Sequence, residues 1–169
     1  MDTNHETKKL FMYAILCLSL AVGLSSGVFS NYFKDVFAVD SVQRGLLEIP
    51  RETPGILCVV ILTALSGLGN LSLMVMAYGF CTLGLAVLGL LSPSYFIMQI
   101  FLFSFSLGEH MMMPLRDSIA MDLSGEGKTG TFLGQLKGKM TLASMTASAA
   151  VFIGYRTGLF WFGDGVIPS

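Results

Sequence analysis

Long stretches without charge dominate the pattern of polar and apolar positions along the chain. No Asp, Glu, Lys, Arg or His occurs between Thr53 and Gly108, and a second uncharged stretch runs from Leu10 to Phe33. A helix needs about 20 mostly apolar residues to cross the hydrocarbon core of a bilayer. The first stretch has room for most of three such helices. The pattern therefore predicts a protein that crosses the membrane several times.

Turn-forming residues divide the apolar sequence into five predicted transmembrane helices. Glycine and proline interrupt helices, and they occur at Ser66-Gly67-Leu68-Gly69-Asn70 and at Ser92-Pro93. Polar loops are predicted at Asn31–Val42 and Asp122–Lys128. The predicted helices cover residues 10–30, 43–65, 71–91, 94–120 and 130–155. The expected fold class is an all-α membrane protein, with residues 1–169 forming one transmembrane bundle.

The composition agrees with this class and excludes others. Hydrophobic residues make up 53% of the 169 residues and charged residues 12%, against about 25% charged residues in soluble domains. The mean hydropathy is +0.71. A net charge of −1 gives no basis for a nucleic-acid partner, which requires many basic residues. Cys17, Cys58 and Cys81 lie in three separate predicted helices. Neither a zinc site nor a redox pair is therefore expected, and no cofactor is predicted.

The basic residues predict the orientation. The first apolar stretch is longer than the roughly 7–15 residues of a cleavable signal sequence, so it is read as an uncleaved helix. Lys and Arg in short loops are retained in the cytoplasm. With the N-terminus inside, the residues at the cytoplasmic side are Lys8, Lys9, Arg116, Lys128, Lys137 and Lys139, against Lys34, Arg44, Arg51 and Arg156 outside. The expected location is the plasma or inner membrane, with a cytoplasmic N-terminus.

One face of the second predicted helix carries charge. At 100° per residue this face consists of Arg44, Glu48, Arg51 and Glu52. Arg51 lies three residues after Glu48, close enough for an ion pair. The face either lies in the outer headgroup layer, where long side chains reach water, or lines an outward cavity. Pro50 and Pro54 favour the cavity, because bent membrane helices adjoin cavities in transporters.

The fourth predicted helix contains a polar cluster at Glu109-His110 and Arg116-Asp117, with Pro114 between them. If the helix begins near Ser94, Glu109 lies about 22 Å from its start, still inside a core of about 30 Å. Such a carboxyl group could carry a proton, because burial penalises its charged form, and His110 could join a relay. Alternatively, Glu109 pairs with Arg116 or with a neighbouring helix. A single histidine lacks the spaced pair of a zinc-binding helix, so no metal site is predicted.

Two rows of small residues recur at four-residue spacing. One row is Ser19, Gly23 and Gly27, and the other is Gly130, Gly134 and Gly138. Small side chains let membrane helices approach closely. The rows therefore predict close helix packing.

Three features of the chain form one pattern: the order of the spans, the segment Gln43–Gly55, and Gly108 with Pro114, Asp122, Gly130 and Gly134. This pattern resembles the N-terminal half of a major facilitator superfamily transporter. The resemblance covers nearly the whole chain. It implies two six-helix halves, alternating access, and a substrate site between the halves. The charged turn typical of the family after the second helix is replaced here by Ser66–Ser72. Only five spans are predicted here, so the sixth helix of this half and the whole second half are missing. The chain is therefore expected to be truncated or to need a partner chain.

The leading hypothesis is secondary active transport of a small solute, without enzymatic activity and with no catalytic residue. Arg51 would attract an anionic or polar group, and Glu48 and Glu52 would orient it. Glu109 and His110 would exchange a proton. The candidate pathway residues are Glu48, Arg51, Glu52, Glu109, His110 and Arg116. The expected partners are the lipid bilayer, a small-molecule substrate and a C-terminal half. Two alternatives remain open: a membrane-embedded enzyme using the cluster Glu109, His110, Arg116 and Asp117, and a non-transporting fragment or assembly subunit.

Overall fold

Every regular element of the computed structural model, which describes residues 3–91 and 94–160, is an α-helix. The helices, named in chain order, are α1 (Thr3–Phe37), α2 (Ser41–Ala64), α3 (Asn70–Leu90), α4 (Tyr95–Ser124) and α5 (Thr129–Arg156). The predicted all-α class is confirmed for these residues, as are the five predicted helices. The predicted stop at Ser92-Pro93 lies outside the described residues.

The first helix is longer than the sequence pattern predicts. It begins at Thr3 and ends at Phe37, so the predicted loop from Asn31 to Val42 is wrong over its first seven positions. Its exposed first turns include an ion pair between Lys9 Nζ and Glu6 Oε1 at 3.2 Å, one turn apart. Hydropathy identifies only the apolar part of a helix. Polar residues at either end of that part can extend the same helix into water.

A capping box begins α2. The Asp40 side chain accepts hydrogen bonds from the N–H groups of Val42 and Gln43, both at 2.8 Å. The Gln43 side chain accepts one from the Asp40 N–H at 3.0 Å. These bonds satisfy donors that the first turn of a helix otherwise leaves unpaired.

Among the residues that the structure describes, three helices are long and apolar enough to cross a membrane: His5–Phe37, Asn70–Leu90 and Tyr95–Ser124. By length and composition the chain is therefore suited to a membrane. The described residues of α2 and α5 do not meet the same criterion. Charged side chains in the first half of α2, and Lys137 and Lys139 in α5, lower the hydropathy of these helices. The expectation of five spans is thus supported for three helices.

Contacts divide the chain into two units. The first contains α1, the end of α4 from Ala120, and α5. Here α1 and α5 run parallel, and a Cβ added at Gly23 would lie 2.5 Å from the backbone oxygen of Ser144, while one at Gly27 would lie 3.1 Å from Val151. The Ser148 hydroxyl donates to the Gly23 carbonyl at 3.0 Å. The predicted close packing of the small-residue row in α1 is confirmed.

The second small-residue row behaves differently. At Gly130, Gly134 and Gly138 an added Cβ would meet no atom of the described residues within 4 Å. The prediction that this row brings helices together is therefore wrong for the contacts that the described residues make. Four-residue spacing alone does not reveal which side of a helix has a neighbour.

The second unit contains α2, α3 and the part of α4 up to Ile119. Helices α3 and α4 run antiparallel and approach closely at two glycines. A Cβ at Gly84 would lie 2.7 Å from the Phe105 nitrogen, and one at Gly108 would lie 2.5 Å from the Ala77 oxygen. The Asn70 side chain donates to the Ser118 hydroxyl at 2.9 Å. Backbone contact at glycine is how membrane helices gain van der Waals packing without a hydrophobic driving force.

Candidate functional site

Helix α2 supplies three charged side chains to one cluster. Arg51 Nη1 lies 3.1 Å from Glu48 Oε1, and Arg51 Nε lies 3.9 Å from Glu52 Oε1. The predicted ion pair between Glu48 and Arg51 is confirmed. All three side chains are half exposed or more, with Glu52 at 61%. They therefore remain accessible to a ligand.

A serine of α4 ties this part of α2 in place. Helix α2 continues through Pro50 and Pro54, although Pro54 has no N–H to donate to the Pro50 carbonyl one turn earlier. The Ser106 hydroxyl donates a hydrogen bond to the next carbonyl, that of Arg51. Ser106 is 1% exposed. This hydrogen bond joins α4 to α2 beside the turn that contains the two prolines.

The imidazole of His110 lies beside these charges. Its Nδ1 is 2.9 Å from the Ser106 carbonyl oxygen and 3.2 Å from the Ser106 hydroxyl. Its Nε2 is 3.8 Å from Glu52 Oε2, and the side chain is 22% exposed. A Cβ added at Gly55 would lie 2.9 Å from His110 Cδ2, so the absence of a side chain there gives the ring its place against α2.

Glu109 lies near these charged groups, without an ion pair to any residue that the structure describes. Its half-buried side chain interacts electrostatically with His110, Arg51 and Glu52. The alternative that pairs it with Arg116 is wrong, because Arg116 Nε contacts Asp117 Oδ1 at 2.9 Å. Asp117 is the neighbouring residue, and its carboxylate reaches the guanidinium without spanning two helical turns.

The structure therefore brings together five of the six predicted pathway residues. Those five are Glu48, Arg51, Glu52, Glu109 and His110, whereas Arg116 belongs to a separate, mostly buried pair. The cluster combines one fixed positive charge, three carboxyl groups and one imidazole. It can bind a polar or anionic group at Arg51 and exchange a proton at its imidazole or carboxyl groups.

The combination of Ser106, His110 and Glu52 has the composition of a hydrolytic triad but not its geometry. A nucleophilic serine must reach substrate and give its proton to histidine. Ser106 is buried, and its hydroxyl donates to the Arg51 carbonyl instead. Within the described ranges, no group of three or more His, Cys, Asp or Glu is placed to hold a metal ion.

Ser106 and Gly55 were not recognised from the sequence. A serine and a glycine inside apolar helices are common and carry no chemical signal of their own. The spacing of Ser106 and His110, four residues apart on one helix face, was the available sign that the two side chains meet.

No known protein family, no curated protein and no solved structure matches the chain. Its function is therefore inferred from its own side chains.

Proposed function

We propose that the chain is a multi-pass protein of the cell membrane that takes part in the secondary active transport of a small solute. The observation that carries the proposal is that His110 of α4 lies 3.8 Å from Glu52 of α2, which also pairs with Arg51. These charged groups adjoin uncharged segments of both helices, residues 53–64 of α2 and 95–108 of α4. Charged groups within membrane helices usually face the bundle interior or a water-filled cavity and mark solute and ion pathways.

Exposed apolar residues support the inclusion of α2 among the membrane spans. Ile56, Val59 and Val60 are 76%, 64% and 64% exposed. Such a continuous apolar surface is costly in water and is ordinary in lipid or against other membrane helices. In this proposal α2 and α5 cross the bilayer with the three more apolar helices, and the N-terminus is cytoplasmic.

The charged side chains have distinct roles in the proposal. Arg51 attracts an anionic or polar group of the solute, because a guanidinium offers several donors in a fixed fork. Glu48 and Glu52, which flank Arg51 in space, orient that group. Glu109 and His110 exchange a proton as access alternates, and Arg116 stays paired with Asp117 near the far end of α4.

The proposed architecture is that of a major facilitator-type permease. The order of the spans and the polar positions on α2 and α4 support it. The solute site is then completed by a second set of helices that packs against the exposed faces of this chain. The partners in this proposal are the bilayer, the solute and that second half.

The test is solute uptake by the protein reconstituted in liposomes, together with its second half where one is required. A panel of radiolabelled amino acids, sugars and organic acids is offered with and without a pH gradient. We expect Arg51→Ala to reduce uptake at least about tenfold, since a hydrogen bond to a charged group contributes about 1.5–3 kcal/mol. We expect Glu109→Gln to remove the response to the pH gradient.

Glu126→Gln is the matched control, because Glu126 is an exposed carboxyl group in the turn between α4 and α5. It should leave both uptake and pH response unchanged. Normal uptake by Arg51→Ala would remove the solute role of Arg51. A normal pH response in Glu109→Gln would remove its proton role.

A further inference from the structure

The surroundings of His110 determine which of its two ring nitrogens holds the hydrogen when the ring is neutral. A neutral imidazole donates from one nitrogen and accepts at the other. Nδ1 has two close neighbours, the carbonyl oxygen and the hydroxyl oxygen of Ser106, at 2.9 and 3.2 Å. The carbonyl can only accept a hydrogen bond.

The hydroxyl of Ser106 also acts as an acceptor toward the ring. Its single hydrogen is donated to the Arg51 carbonyl, which has no hydrogen to give in return. Both neighbours of Nδ1 therefore present lone pairs, and the arrangement is satisfied when Nδ1 carries the hydrogen. This leaves Nε2 as the nitrogen that gains and loses a proton.

Nε2 faces a carboxylate of the other helix. Glu52 Oε2 lies 3.8 Å away, a gap that one bridging water or a movement of about 1 Å closes. Within the described part of the chain, the other charged groups near the ring are Arg51, which pairs with Glu52, and Glu109 on α4. Gly55 lets α2 approach, because a Cβ there would lie 3.0 Å from Nε2.

We propose that His110 exchanges its proton through Nε2 with Glu52, and that Ser106 is the positioning residue that holds the ring in the Nδ1–H form. In the transfer step, the Nε2–H bond of the imidazolium breaks and an O–H bond forms on Glu52. Neutral His110 keeps its hydrogen on Nδ1, and Glu52 becomes a carboxylic acid. This assignment rests on the proposed transport function and extends it, since Glu52 joins Glu109 and His110 among the groups that exchange a proton.

The experiment is nitrogen NMR of the full chain labelled with ¹⁵N-histidine in lipid nanodiscs. The chain has two histidines, and His5→Gln identifies the signals of His110. At a pH where the ring is neutral, the shifts should be those of a protonated Nδ1 and an unprotonated Nε2. A predominantly Nε2–H ring would overturn the proposal.

Variants separate the role of Ser106 from general packing. Ser106→Ala should lower the ratio of the Nδ1–H to the Nε2–H form about fivefold, the effect of losing one ordinary hydrogen bond, and Ser106→Thr should restore the ratio. Ser104→Ala is the matched control, because the Ser104 hydroxyl also donates to a carbonyl of a neighbouring helix, that of Phe80 at 3.3 Å. An unchanged ratio in Ser106→Ala would overturn the role of Ser106.

The partner of Nε2 is tested at a pH where His110 is protonated. Glu52→Gln should shift the Nε2 signal and leave the Nδ1 signal in place, whereas Glu48→Gln should leave both in place. An Nε2 signal that does not respond to Glu52→Gln would overturn the pairing. None of these measurements requires transport, so a protein with this ring geometry and no solute uptake would contradict the proposed function alone.

Discussion

Replacement of Gly108 by alanine tests the packing that holds the polar cluster in place. The new methyl group would lie 2.5 Å from the Ala77 oxygen and 2.8 Å from the Cys81 nitrogen. Both are backbone atoms of α3, which cannot turn aside as a flexible side chain can. Helices α3 and α4 would have to separate, and Glu109 follows directly after the altered position.

The expected magnitude is the difference between two terms. Inserting a methyl group into a packed interior costs typically about 1–3 kcal/mol. Alanine in place of glycine inside a helix stabilises the helix by up to about 1 kcal/mol. With that stabilisation at about 1 kcal/mol, the net loss of stability for Gly108→Ala should be about 0–2 kcal/mol, and the difference from a glycine-to-alanine variant without the contact should be about 1–3 kcal/mol.

Gly79→Ala is the matched control, because a Cβ at Gly79 of α3 would meet nothing within 4 Å. This variant changes only the helix propensity, so its free energy of unfolding should rise by about 0.5–1 kcal/mol. The assay is unfolding by dodecyl sulfate titrated into dodecylmaltoside micelles and followed by circular dichroism. A Gly108→Ala protein as stable as the control would refute the close contact of α3 and α4.

Three further predictions concern local features of the fold. Gly158 follows α5 with a φ of +72°, so Gly158→Ala should lower the free energy of unfolding by about 1 kcal/mol. An unaltered thermal midpoint would contradict this conformation of Gly158. A double-mutant cycle of Asn70→Ala and Ser118→Ala should give a coupling of about 0.5–1 kcal/mol, the value of one hydrogen bond, and additive effects would show that the bond does not contribute. Arg51→Gln should change the unfolding free energy by less than about 1 kcal/mol, because the pair with Glu48 is half exposed. A larger loss would indicate a structural role.

The sequence predicted the helices well because their cause is local. An apolar run of membrane length and turns rich in glycine were sufficient to place α3 and α5 within one residue of their observed bounds. The ends of α1 were missed because helix formation continues into polar residues that hydropathy does not count. The capping residue Asp40, with Gln43 three positions later, was the signal that could have shortened the predicted loop.

The candidate site was predictable only where its partners are close in sequence. The pair of Glu48 and Arg51 follows from three-residue spacing on one helix. The contact of His110 with Glu52 joins two helices, so no periodicity reveals it. The alternative that pairs Glu109 with Arg116 is wrong, since the Asp117 carboxylate pairs with Arg116 from the adjacent position.

Accessibility to water tests most directly whether the charged residues of α2 line an aqueous path through a membrane-embedded protein. Cys17, Cys58 and Cys81 are first replaced by alanine. Single cysteines are then introduced at Arg51 and, as a control, at Leu83 of α3, an apolar side chain that is 52% exposed. The protein is reconstituted in liposomes and treated with a charged methanethiosulfonate reagent that does not cross the bilayer.

We expect rapid labelling at position 51 and none at position 83, because acyl chains would cover the surface of α3 while water reaches position 51. Labelling at both positions would contradict the membrane location of α3. Protection of both positions would contradict an aqueous path at Arg51, and the proposed transport function with it.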